Sequence, residues 1–560
     1  MKTSVNAVLS GMILATVLTS GARSNAKVIT AASCAFADVN NAVAQASAGD
    51  VVQLPPGTNW WSQTLNLYGV SLVGSGTNST VLIDEENRSV SAQMINLHAE
   101  AGHFTEICDI QFEGGVTNTS INYYGAIAVY GSSGSSWRID HNAFNLLYAK
   151  NICTEGNSWS CIDNNTFYER TISVEDNSYL AVDPANLSIA DTEGDGSWAS
   201  PPTYGLNSTN VLYVENNYFT NETAYVASVG ACDGEGGARI VFRHNTVMND
   251  MFNNHGTETG GRNRSERSFE IYDNTFICSP SAAFYPLFSA AMIRGGSGVI
   301  FSNTLSGYTS LATLRNYRYN YAYCGTWYPF CGANGTNSWD SNSPTIYLTG
   351  TSAGPNGANY LQVSGANWTP NQWVGYTVMD MSNQEFSVVV SNNVNTIYYM
   401  GGAGSTPSIV PAVATFNNGD PFRICLVYAA LDQPGRGSGD LLVDDGQNPV
   451  TGNLITIDTV TGLSAWPREV LEPIYTWGNT SNGGPIELTS DYPTLQLNRD
   501  FYNETPKPGY TPYPYPSPLE SETFATNGIT GGGGGSTNGP PSTNGPGPLP
   551  PTHIHQINNP

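Results

Sequence analysis

One asparagine recurs through the middle of the chain, and this repeat constrains the fold more than any other feature. It stands in six similar heptapeptides, each with an apolar residue three positions before it and another two after it. The six are Asn142, Asn165, Asn217, Asn245, Asn274 and Asn303, with spacings of 23, 52, 28, 29 and 29 residues. A period of about 20 to 50 residues is typical of stacked supersecondary units. The 52-residue step is either two coils or one coil with a long insertion between Tyr168 and Asn210.

The residues around each asparagine favour a parallel β-helix. Short alternating apolar segments without helical periodicity predict strands whose apolar side chains point inward. An asparagine at each strand-to-strand bend can take a strained backbone conformation and hydrogen-bond its amide to the equivalent asparagine of the next coil. A β-sandwich would need frequent Asn-Gly or Asp-Gly hairpins, which are scarce here. The predicted fold is therefore all-β: a right-handed parallel β-helix, or solenoid, with a small inserted β-domain and a disordered C-terminal tail.

Composition shifts along the chain predict its domain organisation. The asparagine repeat is lost after about residue 336, and a sequence typical of the β-helix strands returns near residue 425. Pro and Gly dominate the end of the chain. The predicted segments are a signal peptide (1–26), a β-helix with an N-terminal capping helix (27–336), an inserted small β-domain (337–424), a return to the β-helix (425–510) and a Pro/Gly-rich linker tail (511–560).

The N-terminal segment and the charge balance restrict location and partners. Residues 1–26 carry one early Lys, a short apolar run and a Ser-Asn-Ala exit, which predict export to the extracellular space or the cell surface. The apolar run is too short for a membrane span. With 20 basic and 45 acidic residues the net charge is −25, which excludes nucleic acid as a partner. In an exported chain, Cys153 with Cys161 and Cys324 with Cys331 are the best local disulfide candidates.

These features resemble the pectate-lyase-like family of right-handed parallel β-helix proteins. Residues 31–46 look like its amphipathic capping helix, and residues 49–58 and 70–76 are similar to its first strands. The resemblance covers roughly residues 33–319 and implies a polysaccharide as substrate. No catalytic residue is carried over, because the signatures of polygalacturonases and the calcium-binding aspartates of pectate lyases are not matched. The family also includes hydrolases, epimerases, esterases and noncatalytic adhesins.

Related enzymes bind glycans along the first strand of each coil, which directs attention to one outward stripe. The first strands are predicted at 126–130, 148–153, 251–255, 290–294 and 311–315. The stripe then contains Tyr130, Lys150, His255, Arg294 and Arg315. Breaking a uronate polymer by β-elimination needs a cation on the sugar carboxylate and a base for the C5 proton. The predicted catalytic residues are His255, Arg294, Arg315 and Lys150, and the predicted substrate-binding residues are Tyr130, Glu258, Arg262, Arg264 and Arg318.

A second stripe of charge lies two residues before the ladder, at Asp140, Asp163, Glu215 and Arg243. Stacked carboxylates repel, so a proton, a bridging cation such as calcium, or Arg243 with His141 and His244 must offset them. The predicted metal ligands are Asp140, Asp163 and Glu215, with a structural role. A solvated stripe, or the paired carboxylates of a glycosidase, are the alternatives.

Three functions remain open from the sequence. The leading hypothesis is an exported lyase that cleaves an acidic, uronate-containing glycan by β-elimination, with calcium as the one cofactor considered. The alternative is a noncatalytic extracellular protein that binds glycans, adheres or has a structural role, and a further alternative is a glycoside hydrolase. In the inserted domain, Trp368, Trp373 and Tyr376 form either a sugar-stacking platform or an aromatic core.

Overall fold

A computed structural model describes twenty stretches of the chain. The described residues are 26–85, 93–114, 126–132, 134–145, 151–156, 158–169, 174–175, 205, 211–221, 230–234, 237–256, 265–282, 287–316, 346–374, 376–383, 385–399, 414–425, 433–438, 470–490 and 495–522. Residues 1–25 of the predicted signal peptide and the cysteine pair Cys324 and Cys331 lie outside them. No described helix is long and apolar enough to cross a membrane.

Three stacked sheets form a parallel β-helix, as the asparagine repeat predicts, and successive coils add strands to each sheet in turn. The first sheet contains Leu65–Tyr68, Ile95–His98, Ile127–Tyr130, Ile152–Glu155, Val174–Glu175, Cys232–Gly234, Phe252–Asn254, Leu287–Ile293, Tyr308–Leu314 and Leu488–Ser490. The second sheet contains Val28–Thr30, Val51–Gln53, Ser71–Val73, Phe104–Cys108, Ser136–Asp140, Trp159–Asp163, Leu212–Glu215, Arg239–Arg243, Ser268–Tyr272, Ser297–Phe301, Ile474–Trp477 and Phe501–Tyr502. The third sheet contains Gly57–Trp61, Thr80–Asp84, Gln111–Gly114, Ala143–Asn145, Thr166–Glu169, Tyr218–Asn221, Thr246–Met248, Thr275–Ile277, Thr304–Ser306, Thr480–Ser481 and Gly484–Pro485.

The strand register resolves the 52-residue step in the repeat. Cys161 pairs directly with Tyr213 in the second sheet, and Phe167 pairs directly with Phe219 in the third. Since no other strand of these two sheets lies between them, the step is one coil that carries a long insertion. The first-sheet strand of that coil is Val174–Glu175, so the extra residues lie between it and the second-sheet strand Leu212–Glu215.

The six predicted asparagines form a continuous buried ladder between the second and third sheets. Each side-chain amide donates to Oδ1 of the next asparagine, for example from Asn165 to Asn217 at 3.1 Å. The strained backbone conformation, however, belongs to the residue before each asparagine rather than to the asparagine itself. The residues with positive φ are His141, Asn164, Asn216, His244, Asp273 and Ser302, at 51° to 59°. The preceding residue turns the chain, which leaves the side chain of the asparagine directed inward, toward the asparagines of the neighbouring coils.

Apolar residues on both sides of the ladder fill the interior of the coil, as their positions predict. Ile139 and Phe144, three before and two after Asn142, are both fully buried in one core cluster. The third sheet adds a column of stacked rings, with centroids 5.0, 4.9 and 4.8 Å apart from Phe112 through Phe144 and Phe167 to Phe219. Each such pair contributes about 0.5–1.5 kcal/mol beyond its buried area.

The N-terminal end of the β-helix is closed by the predicted amphipathic helix, which spans Phe36–Val43. Val39 and Ala42 are buried in the core, and Val43 and Ala46 pack against it. The predicted disulfide between Cys153 and Cys161 is not formed. Cys153 lies in the first sheet, whereas Cys161 is a buried free thiol in the second.

A separate antiparallel sheet forms the inserted domain. Its strands are Ile346–Thr351, Tyr360–Gln362, Thr377–Asp380, Phe386–Asn392, Thr396–Tyr399 and Pro421–Cys425. Trp373 is buried in the core of this domain and makes edge contacts with Trp368 and Tyr376, at 6.3 and 5.4 Å. These aromatic residues therefore serve as core.

The β-helix resumes later than residue 425 among the described residues. Arg436–Ser438 pairs antiparallel with Val470–Leu471, outside the three main sheets. The strand Ile474–Trp477 is the first to rejoin the second sheet, where it pairs in parallel with Val299–Phe301. After the insertion the chain returns to the last complete coil, where Asn479 continues the asparagine ladder by accepting hydrogen bonds from Asn303.

Residues 505–522 form a C-terminal strap across the outer face of the second sheet. Arg243 donates to the carbonyl oxygens of Tyr513 and Pro514 at 2.8 and 3.1 Å, and the strap ends in a short 3₁₀-helix at Pro518–Ser521. Leu519 is fully buried. The sequence predicts a linker from residue 511 onward. In the structure the start of this Pro-rich segment instead packs on the second sheet, because its backbone carbonyl groups and tyrosine rings contact residues of that sheet. Residues 523–560 lie outside the described part of the chain.

Candidate functional site

The predicted stripe on the first sheet lies at the C-terminal ends of its strands. The strand Phe252–Asn254 pairs with Leu287–Ile293, which pairs with Tyr308–Leu314. Continuing the register two residues beyond the Asn253–Met292 pair and one residue beyond the Ile293–Leu314 pair aligns His255 with Arg294 and Arg294 with Arg315. The three residues therefore come from three consecutive coils and lie at one edge of the sheet. Adjacent strands of a sheet are about 4.8 Å apart.

Asp233 holds His255 in place. Nδ1 of His255 lies 2.9 Å from Oδ1 of Asp233, whose side chain is only 3% exposed. An ionised carboxylate can only accept, so Nδ1 donates to it and Nε2 is the nitrogen that can take a proton. The His255 side chain keeps 16% of its surface exposed, which gives solvent access to the ring.

Arg294 is fixed by the backbone and side chain of the preceding coil. Its Nε donates to the carbonyl oxygen of Asn254 at 2.6 Å, and its backbone N–H donates to Oδ1 of the same residue at 2.6 Å. Its Nη2 lies 3.9 Å from Oδ1 of Asp233. The amide of Asn254 donates in turn to Glu266, which is fully buried. The guanidinium is therefore positioned beside the Asp233–His255 pair with its side chain 12% exposed.

Arg315 and Tyr130 occupy opposite ends of the stripe. The backbone N–H of Arg315 donates to the carbonyl oxygen of Ile293 at 2.8 Å. Arg315 therefore lies one coil beyond Arg294. Tyr130 is separated from the His255 strand by three other strands. Its ring stacks on His98 at 4.7 Å, and His98 stacks on Tyr68 at 4.6 Å. Tyr130 thus belongs to an aromatic column rather than to the cluster around His255.

The strand predicted around Lys150 is shifted in the structure. It spans Ile152–Glu155, and Glu155 pairs with Tyr130. The stripe position in this coil is therefore held by Glu155, because Lys150 precedes the strand. Lys150 itself lies outside the described residues, as do Glu258, Arg262, Arg264 and Arg318, so their predicted roles stay predictions.

The predicted carboxylate stripe on the second sheet is buried beneath the C-terminal strap. Arg138, which sequence reasoning did not single out, binds Asp163 through two hydrogen bonds of 2.7 and 2.6 Å. On the next coils Arg243 pairs with Glu215 through a single hydrogen bond from its Nε. Asp140, Asp163 and Glu215 are all fully buried, so the stripe is not solvated. Two of the three predicted metal ligands are therefore neutralised by arginines.

Two buried acids of the second sheet, Glu106 and Asp163, hold protons more tightly than free carboxyl groups. Burial, and the neighbouring Asp140, raise the pKa of Glu106 well above its usual range. Burial also raises the pKa of Asp163, although the hydrogen bonds from Arg138 oppose this effect. The hydrogen bond that His141 donates to Asp140 raises the pKa of His141. Because the stripe is covered by the strap, the exposed edge of the first sheet is the better candidate for a substrate site.

Asp233 and Asn254 are the functional residues that sequence reasoning missed. Asp233 stands in a three-residue strand, Cys232–Gly234, that carries a glycine and follows the long insertion. The signal that identifies it is its register with Asn253 in the next coil. Once the 52-residue step is assigned to a single coil, the spacing of the ladder asparagines predicts that Asp233 and Asn253 are register partners.

Comparison with known proteins adds structural likenesses at low overlap. The catalytic unit of the thermostable GH87 alpha-1,3-glucanase from Streptomyces thermodiastaticus strain HF3-3 is 13% identical, with a TM-score of 0.26, over 50% of this chain and 58% of that one. Two variants of a GH87 alpha-1,3-glucanase catalytic domain in complex with nigerose are also 13% identical, with TM-scores of 0.24, over 52% of this chain and 60% of theirs. The chain thus matches less than two thirds of the length of these structures. No protein-family model and no curated protein matches it.

Proposed function

We propose that this chain is an exported enzyme that cleaves an acidic, uronate-containing polysaccharide by β-elimination, with its active site at the C-terminal edge of the first sheet. The observation that carries the proposal is the grouping of Asp233, His255 and Arg294 there, at 2.9 and 3.9 Å. The resemblance of the sequence to the pectate-lyase-like family supports the same substrate class.

In the proposed reaction His255 is the base. Its Nε2 takes the C5 proton of the uronate, and the electrons of that C–H bond form the C4–C5 double bond as the C4–O bond breaks. The leaving oxygen then receives a proton from the imidazolium or from water. Asp233 orients the ring and stabilises the imidazolium, in the way that a buried carboxylate supports a histidine base elsewhere.

Arg294 supplies the positive charge that this reaction needs. Removing the C5 proton builds negative charge onto the sugar carboxylate, so a fixed cation beside it lowers the barrier. The two bonds to Asn254 hold the guanidinium before substrate arrives, which avoids the cost of reorganising it. Arg315, one coil away, is placed to contact the next sugar along the chain.

Glycoside hydrolysis is the second candidate, and one observation favours it. Glu175 and Asp233 are register partners in adjacent strands of the first sheet. Adjacent strands are about 4.8 Å apart, so the register brings two acidic residues to neighbouring positions of the sheet. Glycosidases use such a pair of acidic residues. The pairing of Asp233 with His255 is the reason why β-elimination is preferred.

A two-channel assay tests the proposal. Purified protein is incubated with pectic, alginate and glycosaminoglycan polymers and with a neutral glucan, with and without calcium. Ultraviolet absorbance follows unsaturated ends, and a colorimetric assay follows reducing ends. The proposal expects both signals on at least one acidic polymer. Reducing ends without absorbance would instead establish hydrolysis, and silence in both channels would favour a noncatalytic, glycan-binding protein.

A further inference from the structure

A second group of potential ligands lies on the outer face of the second sheet, away from the proposed active site. Ligand atoms of Glu106, Cys108 and Asp140 all lie within 4.8 Å of one another. Cys108 and Asp140 are register partners in adjacent strands, and Glu106 is on the same face two residues before Cys108. All three side chains are at most 1% exposed. The strands therefore bring one sulfur and two carboxylates together without a long loop.

The negative charge of this group is not matched by its surroundings. Nη1 of Arg138 lies 3.3 Å from Glu106 and Nη2 lies 3.4 Å from Asp140, but the shorter bonds of this guanidinium, 2.6 and 2.7 Å, go to Asp163. One arginine thus faces three carboxyl groups. Oδ1 of Asp140 has no hydrogen-bond partner among the residues that the structure describes, although Asp140 is fully buried. A buried carboxylate oxygen without a hydrogen-bond partner needs a proton or a cation to offset its charge.

His141 gives the group an orienting contact and is itself partly exposed to solvent. Nδ1 of His141 lies 2.6 Å from Oδ2 of Asp140, and its side chain is 40% exposed. Carboxylates that bind metals are commonly held by such a second hydrogen bond. Oδ2 of Asp140 is thereby engaged, which leaves Oδ1 as the oxygen that can bind an ion.

We propose that Glu106, Cys108 and Asp140 form a binding site for a borderline divalent metal ion of the zinc type. A thiolate among the ligands favours zinc over calcium or magnesium, which prefer oxygen ligands alone. Three protein ligands leave a fourth position for water. The site differs from the calcium site expected from the sequence, because Asp163 and Glu215 are bound by arginines and Glu106 and Cys108 take their place.

Such an ion would fix the coil below the end of the strap. The 3₁₀-helix Pro518–Ser521 contacts the strand Ser136–Asp140, and Leu519 packs in the same apolar cluster as Cys108. Metal binding would deprotonate the thiol and replace the proton that the carboxyl groups otherwise hold. The site is therefore structural, and the proposed reaction at the first sheet does not depend on it.

Cobalt titration tests this site with the full chain. Metal is removed with a chelator, Co²⁺ is added, and the thiolate-to-cobalt absorption band in the near ultraviolet is followed, with Zn²⁺ then added as competitor. We expect a band that saturates at one equivalent and disappears with Zn²⁺. Absence of the band in the wild-type protein would overturn the proposal and would mean that a proton alone offsets the carboxylates.

Two cysteine variants make the test specific. Cys161 is a fully buried free thiol on the same sheet, on the strand next to that of Asp140. Cys108→Ser is expected to lose the band, whereas Cys161→Ser is expected to keep it. A band that survives Cys108→Ser would overturn the assignment. Glu106→Gln, which keeps the shape of the side chain, should weaken cobalt binding, and unchanged binding in this variant would count against the ligand set even if Cys108→Ser fails to fold.

Discussion

Asn303 donates its side-chain amide to Oδ1 of Asn479 at 2.9 Å, although 176 residues separate the two along the chain. The backbone N–H of Asn303 donates to the same oxygen at 3.1 Å. The whole inserted domain therefore interrupts the chain without interrupting the ladder. The first coil after the insertion is joined to the last coil before it by the same amide-to-Oδ1 hydrogen bond that links the other successive asparagines of the ladder.

Replacing Asn479 should destabilise the β-helix markedly. Its amide also donates to the carbonyl oxygen of Ile300 at 2.9 Å, so Asn479→Ala leaves several buried groups without partners. We expect the free energy of unfolding to fall by about 1–3 kcal/mol, measured by urea denaturation. Asn66→Ala is the matched control, because Asn66 accepts a similar bond from Asn96 at an exposed position. Equal losses in the two variants would contradict the role given to the buried ladder.

The residue before each ladder asparagine should prefer glycine. Ser302 is exposed and has a φ of 55°, a conformation that costs a residue with a Cβ about 1–2 kcal/mol. Ser302→Gly is therefore expected to raise the melting temperature or leave it unchanged, whereas Ser302→Val should lower it. If valine were tolerated as well as glycine at this position, the strained turn would not be where the structure has it.

The fold could be predicted well because a solenoid makes its contacts between neighbouring coils. The period of the asparagines gave the coil, and the apolar residues at fixed offsets, such as Ile139 and Phe144, gave the interior. Asn479 was missed because the period is lost across the insertion. The positive φ was assigned to the asparagine itself, since sequence alone does not say which of two adjacent residues turns the chain.

The site was predicted only in part, for reasons that lie in its geometry. His255 and Arg294 were identified because bases are rare in this chain, and the register brings them together. Asp233 was missed since its strand is only three residues long. The strap was missed because its binding depends on backbone carbonyls of Tyr513 and Pro514, and a Pro-rich composition gives no sign of such a partner.

Arg243 is expected to hold the C-terminal strap. It binds Glu215, donates to Tyr513 and Pro514, and lies 5.0 Å from the ring centroid of Tyr213. Arg243→Met leaves Glu215 buried without its cation, so we expect a loss of about 3–5 kcal/mol in the free energy of unfolding.

Hydrogen exchange locates the effect of this change. Amides of residues 517–522 should exchange faster in Arg243→Met than in the wild-type protein. Lys27→Met, which removes a positive charge at the far N-terminal coil, should leave these amides unchanged. Protection of the strap that is the same in all three proteins would show that Arg243 does not hold it.

The strap should also be less stable at high pH. Burial, and then a hydrogen bond with Glu215, raise the pKa of Glu520 from 4.5 to about 9. Because the folded chain keeps a proton that the unfolded chain loses above about pH 4.5, this group's contribution to stability falls as the pH rises from 4.5 to about 9 and is constant above that range. Glu520→Gln stays neutral, so its stability relative to the wild-type protein should increase over this window in urea denaturation. A difference between the two proteins that does not vary with pH would contradict the raised pKa.

The central claim is that His255, held by Asp233, removes a proton from an acidic glycan. The most direct measurement is the initial rate of ultraviolet absorbance on the best acidic polymer for the wild-type protein, His255→Gln and His103→Gln, each checked for an unchanged melting temperature. His103 is a histidine that precedes the second-sheet strand Phe104–Cys108 and takes no part in the proposed site. We predict a rate lower by about 10²–10⁴-fold for His255→Gln and an unchanged rate for His103→Gln. A His255→Gln variant that retains the wild-type rate would contradict the account.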